Sequence, residues 1–417
     1  MKVRLQVSGL TFYYIGGIAF ENMAMYFESQ CSHFFGFSIN VYNQNEQQSA
    51  LMHVMNALVA HGALIVDMTD GGTNFDMAKQ VAGMWKGIQD FYDRIDQDES
   101  AKKSLPPMTT VMEAGSQTAK IGFASADNDS LQFLETRRNR KTRDFLPEEV
   151  KTILGDSTIS ALSEVFDAVI SAGKSAVRIA VAASSIEAGA FESEENPEAQ
   201  ASKAAALMSD ELLDDGSDSA ISSGFPICMS PHRLCRYSNN QQNKAPNNEE
   251  EEEENLSREV FGAHVDSTWV TIVPVAAVSG LEVFDETEEL WYRPELAARK
   301  YWEAEQTKQG LDSTSMVETL PGEASGLPWH SRYVVLMPGE LLQVASRNEV
   351  PAAVHRVVAT KDCPSRLSAP ILLRCRPGVK MDVDRYLGGT GGDPLLEQCN
   401  GMTIEQIHDA LQPTSFQ

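Results

Sequence analysis

The sequence predicts an α+β fold: a distorted double-stranded β-helix, or jelly-roll barrel, with N-terminal helices packed outside it. Three observations carry the prediction. Apolar residues recur at helical spacing through the first 180 positions, and short strand-like runs follow Arg233. The chain is 417 residues long and 42% apolar, ample for a sizeable core.

Residues 1–36 read as an N-terminal extension, and 37–180 as a largely helical region. Phe37, Ile39 and Val41 alternate like a short strand, and Leu51, Val54, Met55 and Leu58 mark one face of a following helix. An apolar stretch, Ala63 to Val66, precedes a second amphipathic helix bearing Val81, Met84, Trp85, Ile88, Phe91, Tyr92 and Ile95. The run from Leu162 to Val181, with Val165, Phe166, Val169 and Ile170, gives a long helical face. Residues 181–232 then turn acidic and small, with Glu192, Glu194, Glu195, Asp210, Asp214, Asp215 and Asp218. They are expected to form a mobile connecting insertion with one helix near Ala204.

The barrel is assigned to 233–380, with strands at Leu281–Phe284 and Tyr333–Met337 and insertions at 239–255 and 295–327. The first insertion contains the unbroken run Glu249 to Glu254, six adjacent carboxylates that repel one another and bury nothing, hence a solvated loop. Residues 381–417 form a C-terminal segment in which Thr403 and Gln406 make a capping box for a final helix.

With 59 acidic and 34 basic residues the formal charge is −25, which argues against nucleic acid or an anionic membrane as partner. No apolar run is long enough to span a bilayer. Six cysteines without a CxxC pair read as free thiols in a reducing compartment. Lys2 and Arg4 before the uncharged stretch Leu5 to Phe20 faintly resemble a targeting sequence, but Thr, Tyr and Gly interrupt it. A cytoplasmic protein is expected, its oligomeric state left open.

The chemistry lies in the last third: His264 and Asp266, then His355, then Arg366 and Ser368. In an extended strand residues two apart face the same way, so each closely spaced pair is expected to aim at one point. Two histidines and a carboxylate hold one face of a non-heme Fe(II) ion and leave the other positions open for a co-substrate and dioxygen. A guanidinium gives a carboxylate two charge-assisted hydrogen bonds, and a serine on the same face adds a third. Arg366 and Ser368 therefore suit the distal end of a dicarboxylate. Trp269, Thr271 and Val273 alternate after the first pair, one face of that strand lining the cavity and any single residue serving core packing. His33, His53, His61, His232, His330 and His408 show no ligand spacing.

These motifs fall in a recognisable order. Phe261-Gly-Ala-His-Val-Asp266, Tyr333-Val-Val-Leu-Met-Pro-Gly-Glu-Leu-Leu-Gln-Val344, Val354-His-Arg-Val-Val358 and Arg366-Leu-Ser-Ala-Pro370 together resemble the isopenicillin N synthase-like branch of the iron(II)- and 2-oxoglutarate-dependent oxygenases. In that branch the second segment is a pair of strands before the second histidine. Pro370, unusual within a strand, agrees with a family variant, so the strand is kept. Upstream, Arg233-Leu-Cys-Arg-Tyr237 is similar to a family strand ending in a tyrosine that helps hold the co-substrate, although Cys235 replaces its usual asparagine and Ser238 its usual proline. The match is dense over 258–377 and thinner over 37–100.

The resemblance implies Fe(II) held by His264, Asp266 and His355, with 2-oxoglutarate chelating it and extending its far carboxylate to Arg366, Ser368 and Tyr237. Dioxygen would then convert 2-oxoglutarate to succinate and carbon dioxide while a small organic substrate is oxidised, usually hydroxylated. Two other readings stand beside it: an oxidase of the same branch that uses Fe(II) and O2 without 2-oxoglutarate, and a catalytically silent binding protein whose acidic insertions engage a basic partner. The intact triad speaks against the last.

Overall fold

Helical periodicity and strand alternation meet in one core, described by a computed structural model over residues 2–7, 10–15, 54–69, 75–126, 130–192, 194–218, 224–238, 257–308, 326–360 and 365–411. The strand expected at Phe37, Ile39 and Val41, most of the 1–36 extension and the Glu249–Glu254 run lie outside the described residues. At the start, β1 (Lys2–Val7) and β2 (Leu10–Ile15) pair as an antiparallel hairpin.

Helix α1 (residues 54–60) leads into β3 (Leu64–Asp67), and α2 (Asp76–Gln97) follows. Every apolar position expected on the inner face of α2, from Val81 to Ile95, is buried. The Tyr92 hydroxyl lies 2.7 Å from the Leu234 carbonyl, tying the helix to the sheet beneath. Next come α3 (Glu99–Lys103), β4 (Thr109–Ala114), β5 (Gln117–Ser125), β6 (Leu131–Arg138), β7 (Phe145–Leu146) and α4 (Val150–Leu154). Helix α5 (Asp156–Glu187) crosses the back of the barrel. Gly173 permits its close approach: a Cβ there would stand 2.7 Å from Ile272 Cδ1 and 3.0 Å from Val270 Cγ2.

From His232 onward the chain winds between two sheets. Strands β8 (His232–Ser238), β10 (Val270–Pro274), β13 (Tyr333–Pro338), β15 (Ser365–Ser368) and β16 (Ile371–Leu373) join the larger sheet. Its order is β3-β13-β10-β16-β8-β6-β5-β4, with β15 also on β8. Strands β9 (Ser257–His264), β11 (Leu281–Asp285), β12 (Leu290–Tyr292) and β14 (His355–Thr360) form the smaller sheet in the order β12-β11-β14-β9. Successive antiparallel strands passing between two sheets in this way make the double-stranded β-helix expected from the sequence. Three helices complete the C-terminal segment: Val383–Leu387, Pro394–Cys399 and Ile404–Leu411. The last begins with the expected capping box, Thr403 N donating to Gln406 Oε1 at 2.9 Å and Gln406 N to Thr403 Oγ1 at 3.4 Å.

Four expectations are corrected. The region 37–180, expected to be largely helical, also contributes β4, β5 and β6 to the larger sheet. They escaped notice because β4 is mostly exposed, and β6 buries Glu135 and Arg137 as an ion pair where alternation leads one to expect apolar residues. The acidic stretch is also more ordered than expected. Helix α6 (Pro197–Leu212), N-capped by the Asn196 side chain, packs on α5 through Ala201, Ala204, Ala205, Met208 and Leu212.

Three acids of the stretch are paired rather than merely solvated: Asp214 with Arg140, both buried, Asp210 with Arg178, and Asp215 with Lys174 and Arg376. Burial acts to raise the Asp215 pKa, but Lys174 and Arg376 outweigh it and hold the carboxyl well below its usual range. Third, Glu340–Ala345 is a helix rather than a second strand, begun by the turn at Gly339, and fourth, Pro370 splits the expected last strand into β15 and β16.

Cys228, Cys235, Cys375 and Cys399 are free and buried. No helix among the described residues is long and apolar enough to cross a membrane.

The Arg140–Asp214 pair should carry much of this arrangement, since Asp214 also accepts from Met229 N and Gly216 N. Asp214→Ala leaves a buried guanidinium without its carboxylate and is expected to cost about 3–5 kcal/mol. Urea unfolding of the two proteins, compared at equal slope, checks this; a loss below about 1 kcal/mol would mean that the pair is not a structural anchor.

Candidate metal centre

The antiparallel pairing of β9 with β14 sets His264 directly opposite His355, their ring centroids 4.3 Å apart. His264 Nδ1 lies 2.8 Å from the Gly262 carbonyl and His355 Nδ1 3.0 Å from the Ala353 carbonyl. A carbonyl only accepts, so each Nδ1 carries the hydrogen and each Nε2 presents a bare lone pair to the space between the strands.

Asp266 completes the group by a route the sequence did not suggest. Strand β9 ends at His264, so strand alternation cannot bring Asp266 to the same face; the β9–β10 loop turns it in instead. Its Oδ1 lies 3.7 Å from His264 Nε2 and its Oδ2 3.5 Å from His355 Nε2, and one ligand atom from each residue falls within 4.8 Å of the others. The turn following β13 clasps this loop, Glu340 N donating to the Asp266 carbonyl at 3.0 Å and Leu341 N to that of Thr268 at 3.1 Å. Gly339 makes the clasp feasible, because a Cβ there would stand 2.3 Å from Thr268 O and 2.7 Å from Asp266 O. Thr271 Oγ1 donates to Asp266 Oδ2 at 2.5 Å and fixes the carboxylate plane.

Charge states suit a cation. Burial, followed by the neighbouring His355, lowers the His264 pKa and favours neutral imidazole. Burial alone would raise the Asp266 pKa, but His355, His264, the Thr271 hydrogen bond and Arg233 outweigh it, leaving the carboxylate ionised. Ligands about 2.1 Å from an ion and at right angles to one another stand about 3 Å apart. The two histidine–carboxylate separations, 3.7 and 3.5 Å, exceed this by less than an ångström, and the ligand atoms all lie within 4.8 Å of one another, so the three residues fit a facially bound divalent ion.

Arg366 on β15 faces Tyr237 of β8, its guanidinium carbon 5.6 Å from the ring centroid, and Ser368 lies opposite Cys235. The sequence missed the third member of this group. Glu295, in the first turn of helix α7 (Pro294–Lys308), accepts from Arg366 Nη2 at 2.6 Å and from Gly280 N and Leu281 N at 2.7 and 3.1 Å. Both charged side chains are buried. An acidic residue in a first helical turn is ordinary, so nothing local distinguishes Glu295 from a solvated one. The insertion assigned to 295–327 thus begins with a residue of the barrel interior.

Arg366 Nε is buried without an acceptor, and the buried Ser368 hydroxyl makes no hydrogen bond among the described residues. Burial, followed by Cys235, pushes the Tyr237 phenol far up and keeps it protonated, while burial pushes the Cys235 thiol up to about 11. Of the alternating residues after the triad only Thr271 reaches it; Trp269 and Val273 pack in apolar clusters, Trp269 Nε1 donating to Cys375 Sγ at 2.8 Å. Of the remaining histidines, His61 meets Asp285, His330 meets the Val275 carbonyl, and His232 is buried and held neutral; none joins a metal-sized cluster among the described residues.

No family profile and no curated protein matches the chain. Among solved structures it is similar to a full-length Neurospora crassa protein in complex with alpha-KG and 5-formyluracil (16% identity, 89% of this chain and 92% of that one, TM-score 0.48). It is also similar to JOX2 in complex with 2OG, Fe and JA (14% identity, 86% and 80%, TM-score 0.46) and to the dioxygenase for auxin oxidation in rice (13% identity, 88% and 91%, TM-score 0.42). At TM-scores under 0.5 the overlap is loose.

Thr271→Val keeps the side-chain shape and removes only the hydroxyl that orients Asp266. Metal affinity should fall by about 10–100-fold with the fold unchanged. Competitive titration of Co(II) against a chelator, with circular dichroism as the control for folding, measures both; unchanged affinity would leave Asp266 without need of its threonine.

Proposed function

We propose that the protein is a non-heme Fe(II)- and 2-oxoglutarate-dependent dioxygenase that oxidises, most simply by hydroxylation, a small organic molecule. The observation that carries this reading is the convergence of His264 Nε2, Asp266 and His355 Nε2 on one point, with both imidazoles in the tautomer a metal requires. Fe(II) bound there supplies the redox chemistry that couples dioxygen to oxidation of the co-substrate and of a substrate C–H bond.

The protein's own groups then have separate tasks. His264, Asp266 and His355 hold the metal from one side and leave its other side to ligands. Arg366 Nε and the Ser368 hydroxyl, donors without acceptors, suit the distal carboxylate of 2-oxoglutarate. Arg366 packs where Gly280 meets the Val358 carbonyl, three residues along β14 from His355, a strand advance of about 10 Å. That reach suits a five-carbon diacid chelating the metal at one end. Glu295 fixes the guanidinium through Nη2, and Tyr237 forms its floor.

The free buried thiols support a reducing, cytoplasmic setting, and the net charge of −25 supports a small molecule rather than nucleic acid as substrate. One observation favours the second reading, an Fe(II) oxidase that does without 2-oxoglutarate: Arg366 already has a counter-charge in Glu295.

Anaerobic addition of Fe(II) and 2-oxoglutarate together should give a weak visible charge-transfer band, absent with either alone and lost with the metal in His264→Ala. Arg366→Leu should keep the metal and weaken 2-oxoglutarate by about 2–5 kcal/mol, because it truncates one side of a desolvated carboxylate pair. Wild-type 2-oxoglutarate affinity in Arg366→Leu, or no band in the wild type, would hand the site to the direct-oxidase reading.

A further inference from the structure

Three arginines gather at one end of the inner face of the larger sheet: Arg137 on β6, Arg233 on β8 and Arg374 one residue past β16. Strand alternation puts them on one side. Leu234, Ile371 and Leu373 point outward into the core shared with α5, whereas Cys235, Tyr237 and Val357 of the opposite sheet meet inside. Arg233 therefore shares the inner face with Cys235 and Tyr237, and Arg374 lies on the face opposite Leu373. Glu135 is the carboxylate set among them, its Oε1 accepting from Arg137 Nη2 and its Oε2 from Arg233 Nε, each at 2.7 Å.

The donors are unequally used. Arg137 is fully committed, Nε to the Lys120 carbonyl and Nη1 to that of Met229. Both terminal nitrogens of Arg233 make no hydrogen bond among the described residues. The Arg374 guanidinium makes none at all, and its Nε is buried without an acceptor. The Arg233 side chain is 35% exposed, so its spare donors face open space, whereas Arg374 Nε is buried without an acceptor, which is costly; the three cations surround one carboxylate. Burial, then Arg137 and Arg233, push the Arg374 pKa down to about 10, with Asp266 and Glu135 opposing them. Arg233, paired to Glu135 through Nε only, likewise acts on Asp266, so both guanidiniums lie within electrostatic reach of the metal triad.

We propose that Arg233 and Arg374 form an anion subsite beside the metal centre that takes the carboxylate or phosphate head group of the organic substrate. The inference rests on the function proposed above and narrows its substrate class to acids. The subsite is separate from the co-substrate anchor: Tyr237, which Arg366 faces, is four residues along β8 from Arg233, about 13 Å. An acid held by these guanidiniums keeps its head group at the sheet and leaves its organic part near the open side of the metal.

The test uses the full chain loaded with Zn(II), 2-oxoglutarate present in excess, and titration calorimetry with phenylacetate, phenyl phosphate and octanoate, each acid also compared with a neutral amide (phenylacetamide or octanamide). At least one acid should bind about tenfold or more tighter than the amide, and Arg374→Gln and Arg233→Gln should each remove that preference. Which acid prevails separates carboxylate from phosphate. Arg374→Gln should leave 2-oxoglutarate affinity unchanged, and Arg366→Leu should leave the acid preference unchanged.

The proposal is overturned if no acid outbinds its amide, if Arg374→Gln responds like wild type, or if Arg374→Gln weakens 2-oxoglutarate instead, which would assign these arginines to the co-substrate. Failure of 2-oxoglutarate to bind, with the Arg374-dependent acid preference intact, would sink the proposed co-substrate and leave the subsite standing. Unfolding midpoints of the variants report whether any loss is merely structural.

Discussion

The cross-strand pairing of His264 with His355 is the constraint on which the rest of the site depends. Two imidazoles reach a common point only if β9 and β14 hold this register, for a slip of one residue would turn one ring to the opposite face of the sheet. The register is irregular between His355 and Val357 and again between Val357 and Val358. Such an irregularity bends a strand and re-aims the side chains beside it. Here it separates the histidine that faces the triad from the part of β14 that meets Arg366, so one strand serves both ends of the proposed co-substrate.

A chain with a large acidic excess has nevertheless concentrated guanidiniums inside its barrel. Arg137, Arg233, Arg366 and Arg374 face an interior whose carboxylates are Glu135, Glu295 and Asp266. Charged groups withdrawn from water need compensation, and two of these acids have it in strongly directed form. Glu295 takes two backbone N–H groups besides Arg366, and Glu135 takes two arginines. The arginines left with spare donors, Arg366, Arg233 and Arg374, are those to which the proposed ligands would bring their oxygens. The exterior acidity is a different matter, serving solubility and pairing as on α6.

How much of this was legible in the sequence depended on whether a residue's role was local. The convergence of His264, Asp266 and His355 and the placing of Arg366 and Ser368 on one strand are legible because each sits in a short motif whose order along the chain is itself informative. The barrel strands and the faces of α2 and α5 could be read because apolar periodicity is a local signal. Strand β6 could not, since Glu135 and Arg137 are buried only by virtue of partners on other strands. The helix expected near Ala204 is α6, but its composition hides its packing: alanines that let it lie close to α5 look like linker residues until α5 is present. Asp266 joins the two histidines, but the loop rather than strand alternation turns it inward. Glu295 and Arg374 give no sequence signal, because a carboxylate in a helix's first turn and an isolated arginine look like solvated residues, and Arg233 shows only as the first residue of the strand segment ending in Tyr237.

Glu295 also bears on how the barrel discriminates among anions. A bare buried guanidinium at Arg366 would attract any small carboxylate or phosphate, whereas pairing it with Glu295 cancels most of that long-range pull. What remains is short-range and directional: the unpaired Nε, the Ser368 hydroxyl and the wall formed where Gly280 leaves room for the Arg366 side chain. A ligand must then supply an oxygen at those donors while its other end reaches the metal, and the attraction of the divalent ion is what makes the arrival of a second carboxylate near Glu295 favourable. Affinity for a diacid thus comes to depend on metal occupancy, and a monoacid that touches only one end gains little. At the other end of the face Arg374 makes no direct ion pair among the described residues, so the two proposed anion sites differ in kind: one is selective because it is nearly neutral, the other attracts because it is not.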